Sequence, residues 1–175
     1  WHFFRLHKYI QPNTIPDNQR SFISLAYKEV NPMMIFAYGS NMNINRLTQR
    51  VPSATKFTNV FLPGYKLVCN KVSKDGSAKA NIVKSGITTD IVWGVLFKIE
   101  KKEKPLLDKA EGLGKGYNED SLTFYAENNS QHVAQVYIAD SNSINNSLVA
   151  YDWYKEFIIT GAIENQLPAD YISQL

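Results

Sequence analysis

The run Ile91–Ile99 (IVWGVLFKI) is the strongest β signal in the chain, and the rest of the sequence has to build a sheet around it. Other segments follow suit. Met34–Ala37 (MIFA) is a short, fully apolar strand of the kind found at a buried central position. Lys56–Leu62 and Tyr65–Asn70 read as two strands joined at the turn dipeptide Pro63–Gly64. Ala78–Lys84 is a further strand, and two more are expected near Ser121–Ala126 and Val133–Ala139. Helical signals are fewer. Asn43 can cap a helix over Ile44–Arg50, which Pro52 stops. Pro105 suits the first turn of a short helix that turns Leu106, Leu107 and Ala110 to the core and ends at Gly112. Leu148, Tyr151, Tyr154, Phe157 and Ile158 fall at helical spacing, with Gly161 as the C-terminal stop. Strands outnumber helices and are not separated by regular helical crossovers, which predicts an α+β fold.

At 175 residues the chain is long enough for one domain with a real core. No apolar run approaches the length needed to cross a bilayer. Trp1–Ile10 is broken by His2, Arg5, His7 and Lys8 and lacks the features of a secretory signal, so a cytoplasmic location is expected. Residues 1–32 are polar and proline-punctuated, and they differ in kind from the rest of the chain. They read as an N-terminal extension of unknown role on a domain over 33–175. Cys69 is the single cysteine, which excludes an intrachain disulfide and a thiolate zinc cage. His2, His7 and His132 form no cluster at metal-ligand spacing, so no metal is expected. The net charge of +3 is spread out, and glutamates interrupt the lysines of Lys98–Lys104. Neither nucleic acid nor a membrane is an expected partner.

Two tempting motifs fail. Gly112, Gly114 and Gly116 follow a helix rather than precede one, and Lys115 leads into glycine, which is not a phosphate loop. Ser40 lies outside any G-x-S-x-G elbow and has no histidine placed to serve it. Two other segments survive. Tyr38-Gly39-Ser40-Asn41 leaves a buried strand and enters a helix, where consecutive N–H groups make an anion cradle. On sequence physics alone an ordinary capped turn is the stronger reading. Glu111 sits between an apolar helix face and a glycine-rich loop. A partly apolar pocket there would raise its pKa and suit it to proton transfer, although a surface glutamate at a helix end is the simpler account. Tyr117, in a loop, and Tyr154, on a helix face, are more often core or rim packing than ligand contacts.

Taken in order, these segments resemble the γ-glutamyl cyclotransferase family, animal-type within the AIG2-like superfamily. The resemblance runs through Ile35–Asn41 (IFAYGSN), Val92–Phe97 (VWGVLF), Leu107–Gly112 (LDKAEG) and the tail Tyr154–Gly161 (YKEFIITG) with Leu167-Pro168. It implies a small closed mixed β-barrel flanked by helices, with the active cavity at one end. It also implies a cofactor-independent cyclotransferase, a lyase or acyltransferase releasing 5-oxoproline from a small-molecule γ-glutamyl substrate in glutathione metabolism. A homodimer follows by analogy.

By the same resemblance Glu111 is the acid/base. Tyr38, Gly39, Ser40, Asn41, Met42, Tyr117 and Tyr154 bind substrate, the loop holding either the α-carboxylate or the oxyanion. The alternatives within the superfamily are γ-glutamylamines or a γ-glutamylated biosynthetic intermediate as substrate. From a different class, the fold could serve as a non-catalytic ligand-binding module. The signature and tail resemble a branch other than the glutathione-specific one.

Overall fold

The computed structural model describes residues 32–175. The expected extension therefore lies, apart from Pro32, outside the described residues. The first elements are β1 (Met33–Ala37), α1 (Ile44–Arg50), β2 (Thr55–Pro63), β3 (Tyr65–Val72), β4 (Ala78–Lys84) and β5 (Ile91–Ile99). They are followed by α2 (Lys104–Glu111), β6 (Tyr117–Tyr125), β7 (Gln131–Ala139), α3 (Asp152–Glu164) and α4 (Ala169–Ile172). Among the described residues, no helix is long and apolar enough to cross a membrane.

Five strands close a barrel in the order β1-β5-β2-β6-β7. Its pairings are antiparallel except for the β1/β7 closure, which is parallel at Ile35 and Gln135, so the barrel is mixed. The expected α+β class and closed barrel are what the structure has. β5 lies between β1 and β2, with Val92, Val95, Leu96 and Phe97 fully buried. At Gly94 a Cβ would sit 2.3 Å from the Ala37 carbonyl oxygen and 2.6 Å from the Phe36 ring, so only glycine lets β1 pack this closely. Phe36 stacks obliquely on Phe124, ring centroids 4.2 Å apart, in the barrel interior.

The strands flanking Pro63–Gly64 do not pair with each other. β2 belongs to the barrel, while β3 pairs with β4 in a separate two-stranded sheet. Gly64, at φ 78°, instead ties the turn to its neighbours, donating to Asp90 O and accepting from Ser85 N.

Helices α2 and α3 depart from the apolar pattern that marked them. In α2 only Leu107 is buried as expected, while Leu106 and Ala110 are exposed. The inward stripe is Lys104, Leu107 and Glu111, at spacings of three and four. Lys104 can be buried because Asp108 and Glu119 both pair with its ammonium group. Gly112 does end the helix, in the left-handed conformation at φ 73°. Leu148 and Tyr151 precede α3 rather than lie in it, and the helix runs through Gly161 to Glu164. Gly161 is therefore not a stop. A Cβ there would lie 2.6 Å from Asn43 N and 2.8 Å from Met42 C, so the glycine permits close approach of α3 to the loop after β1.

Candidate active site

The loop Tyr38–Asn41 carries the chain from β1 into α1 through a single 3-10 turn, Ser40–Met42. Met42 N donates to Gly39 O and Asn43 N to Ser40 O. The Asn43 side chain caps α1 by accepting from Arg46 N at 3.0 Å, as its position in the sequence predicts. The amides of Gly39, Ser40 and Asn41 find no acceptor among the described residues, which leaves donors for an anion. Gly39 is a matter of space: a Cβ would lie 3.0 Å from the Ala80 Cβ and 3.5 Å from the Tyr154 hydroxyl. Ser40 is buried and accepts from Arg46 Nε at 3.2 Å.

Tyr38, Tyr117 and Tyr154 converge on one recess, whose wall also includes Phe36, Ala80, Glu111 and Tyr137. Tyr38 donates to the Tyr137 carbonyl at 2.5 Å. Tyr117, at the start of β6 rather than in a loop, donates to the Ala80 carbonyl at 2.6 Å. Tyr154 accepts from Ala80 N at 3.0 Å. The two phenols thus grip β4 through both polar groups of one residue. Burial, reinforced by neighbouring acidic groups that include Glu111, raises the pKa of Tyr38 and Tyr117 well above the ordinary phenol value. Burial likewise pushes Tyr154 up to about 12. All three are neutral hydroxyls at physiological pH. Tyr137 donates its own hydroxyl to Asp108 at 2.7 Å, which anchors the recess to α2.

Glu111 is the last residue of α2, with its side chain 15% exposed. It is neither a bare surface carboxylate nor held by apolar groups alone: the recess it lines includes Phe36, Ala37 and Ala80, and polar partners reach it as well. Arg50 Nη1 lies 2.5 Å from Oε1, and Asn41 Nδ2 donates to the same oxygen at 2.8 Å. Arg50 Nη1 also donates to Asn41 Oδ1 at 2.8 Å. The fold brings the C-terminal ends of α1 and α2 together, so the carboxylate at the edge of that recess meets a guanidinium group.

The recess therefore gathers Tyr38, Gly39, Ser40, Asn41, Glu111, Tyr117 and Tyr154. Met42 does not line it. Its side chain is fully buried in the core beside Gly161. Arg50, Ala80 and Tyr137 escape the sequence reading. Arg50 stands 61 positions from Glu111, and a basic residue in a last helical turn is unremarkable in sequence. A larger groove of about 620 Å³ lies along β3 and the C-terminal segment, lined by Cys69, Asp90, Trp93 and Tyr171 among others. It contains neither Glu111 nor the Tyr38–Asn41 loop, so the residues singled out from the sequence point to the smaller recess.

A family profile described as the AIG2-like family matches residues 91–175. The γ-glutamylcyclotransferase of Bos taurus is 31% identical over 149 residues, covering 81% of this chain and 76% of the bovine one. The γ-glutamylcyclotransferase of Homo sapiens is 30% identical, also over 149 residues, covering 81% of this chain and 76% of the human one. A solved structure of a γ-glutamyl cyclotransferase superposes with a TM-score of 0.71 at 27% identity, covering 82% of this chain and 86% of that one.

Proposed function

The chain belongs to the γ-glutamylcyclotransferase family, and from that premise we propose that it converts γ-glutamyl amino acids to 5-oxoproline and a free amine. The observation that carries this reading is the meeting of Glu111 with the unsatisfied N–H groups of the Tyr38–Asn41 loop in one tyrosine-walled recess. A γ-glutamyl group brings an ammonium, a carboxylate and an amide carbonyl, and the recess offers a base and anion donors joined by the Asn41–Glu111 hydrogen bond.

Glu111 takes a proton from the substrate α-ammonium group. The freed amine attacks the γ-carbonyl carbon, forming the ring C–N bond, and the carbonyl electrons move onto oxygen. Loop N–H groups donate to that oxyanion or to the α-carboxylate. The tetrahedral carbon then expels the leaving nitrogen, which takes the proton from Glu111 as the C–N bond breaks. The ring nitrogen releases its second proton, and the product amine takes one up from water. Attack is intramolecular, so holding the flexible chain folded removes much of the barrier. The neutral phenols of Tyr38, Tyr117 and Tyr154 leave the positive charge of the ammonium to Glu111.

The test is 5-oxoproline release from a panel of γ-glutamyl amino acids, γ-glutamyl-ε-lysine and glutathione, by wild type and Glu111→Gln. Turnover of the amino-acid members, lost by at least about 10³-fold in a folded Glu111→Gln, is the expected result. Full activity in that variant refutes the assignment, and preference for γ-glutamyl-ε-lysine moves the substrate to the amine class.

A further inference from the structure

Both hydrogen bonds that reach Glu111 land on one oxygen. Asn41 Nδ2 and Arg50 Nη1 donate to Oε1, and no donor among the described residues reaches Oε2. Arg50 Nη1 also donates to Asn41 Oδ1, which closes a three-membered network. Asn41 thereby commits both polar atoms of its side chain to protein partners. What it can offer a ligand is its main-chain N–H.

We propose that Arg50 and the Asn41 side chain are a positioning clamp that fixes Oε1 of Glu111 and presents Oε2 as the proton-carrying oxygen. This rests on the cyclotransferase reading above. A glutamate has several rotatable bonds before its carboxylate, and Glu111 stands where α2 ends against a left-handed glycine. Nothing in the helix itself selects one rotamer there. The clamp does so from α1, with Arg50 at its last residue, and from the loop. Because Asn41 also contributes a loop N–H, the same residue sets the distance between the proton carrier and the anion donors.

Oε2 accepts the proton from the α-ammonium nitrogen and returns it to the leaving nitrogen. Oε1 keeps its two hydrogen bonds throughout, so the carboxyl group need not rotate between the two transfers. Arg50 does not touch the reacting atoms in this scheme and acts through Glu111. The competing account is that Arg50 merely ties the ends of α1 and α2 together, in which case its loss changes stability but not the chemical step.

Wild type, Glu111→Gln, Arg50→Ala, Arg50→Lys and Asn41→Ala are compared on a γ-glutamyl amino acid, with thermal melts to establish folding. The clamp predicts that Arg50→Ala lowers kcat by about 10²-fold while KM stays within about threefold. Guanidinium ion added to Arg50→Ala restores part of kcat, and Arg50→Lys lies between that variant and wild type. Asn41→Ala shows the same kcat-weighted loss. An unchanged kcat in folded Arg50→Ala, or a loss borne by KM and not rescued by guanidinium, overturns the clamp while Glu111→Gln still reports on the reaction. If wild type turns over no panel member, the reaction reading has failed. The Glu111 carboxyl ¹³C resonance then decides the clamp: a shift on Arg50→Ala supports it, and an unmoved resonance refutes it.

Discussion

Gly161→Ala is expected to destabilise the protein although it replaces a helix-interior glycine with the best helix former. The propensity change alone favours alanine by about 1 kcal/mol. Against it stands the geometry of the new Cβ, 2.6 Å from Asn43 N and 2.8 Å from both Met42 C and Met42 Cβ. Ordinary contact between heavy atoms is near 3.5–4 Å, so the neighbours must retreat by on the order of 1 Å. Two of the three are main-chain atoms. The segment is also pinned, since Asn165 Nδ2 donates to Met42 O at 2.8 Å and to Gly161 O at 2.7 Å. Overpacking of a close-packed core costs about 1–3 kcal/mol, and a clash with backbone belongs at the upper end. The net expectation is a loss of about 2 kcal/mol, or about 4–8 °C in Tm for a chain of this length. Urea denaturation measures it as a lower midpoint at unchanged slope. The same displacement moves the Tyr38–Asn41 loop, so kcat falls as well. A Gly161→Ala protein as stable as wild type, or more so, would refute the close-approach account of this glycine.

Two further outcomes rest on buried polar groups. Asn165→Leu removes the donor shared by Met42 O and Gly161 O and strands the buried Met42 carbonyl, while Gly161 O keeps the Asn165 main-chain N–H, for a loss of about 1–3 kcal/mol in urea denaturation. A change within about 0.5 kcal/mol would show that this contact does not hold the loop to α3. The buried tyrosines make stability fall at alkaline pH. Between the ordinary phenol value of 10.0 and the value of about 12 for Tyr154, the unfolded phenol loses its proton while the folded one keeps it. The unfolded state then binds fewer protons, so unfolding free energy declines by about 1.4 kcal/mol per pH unit for each such group. The contribution is complete below pH 10.0 and is lost as pH rises through the folded value. Urea midpoints that stay flat across this window, with phenolate absorbance appearing at its ordinary pH in the folded protein, would contradict the burial of these hydroxyls.

The elements with a period of their own were legible in sequence. β4 and β5 have the boundaries that their residues predict, and α1 starts at its Asn43 cap. Errors arose where position depends on distant partners. The stripe of α2 could not be read from apolarity because a paired lysine takes an inward position that Leu106 was expected to occupy. Gly161 resembles a helix stop in one dimension, and only the loop packed against it reveals a contact glycine. Met42 fails for the same reason: adjacency to the loop in sequence does not decide which way a side chain faces. Of the recess, Glu111, the loop and two tyrosines were visible because their segments form recognisable short patterns. Arg50 and Tyr137 were not, since each owes its place to one partner far along the chain.

That distribution has a mechanical consequence. The loop is fastened to α3 through Asn43 with Glu164 and through Asn165 with Met42. Glu111 is fastened to the barrel through α2, where Lys104 pairs with Asp108 and Glu119 and Tyr137 donates to Asp108. The loop also enters the barrel covalently through β1, but the placement of the Glu111 carboxylate relative to it depends on side-chain contacts. The Asn41–Arg50–Glu111 network is the polar link that joins the two fastenings directly at the recess. A small error in either fastening is therefore felt as a change in the distance between the Glu111 carboxylate and the loop N–H groups. On the proposed cyclotransferase reading, that distance is what ring closure is most sensitive to, because the chemistry gains chiefly from geometry. Substitutions that loosen α3 against the loop should thus lower kcat before they unfold the barrel.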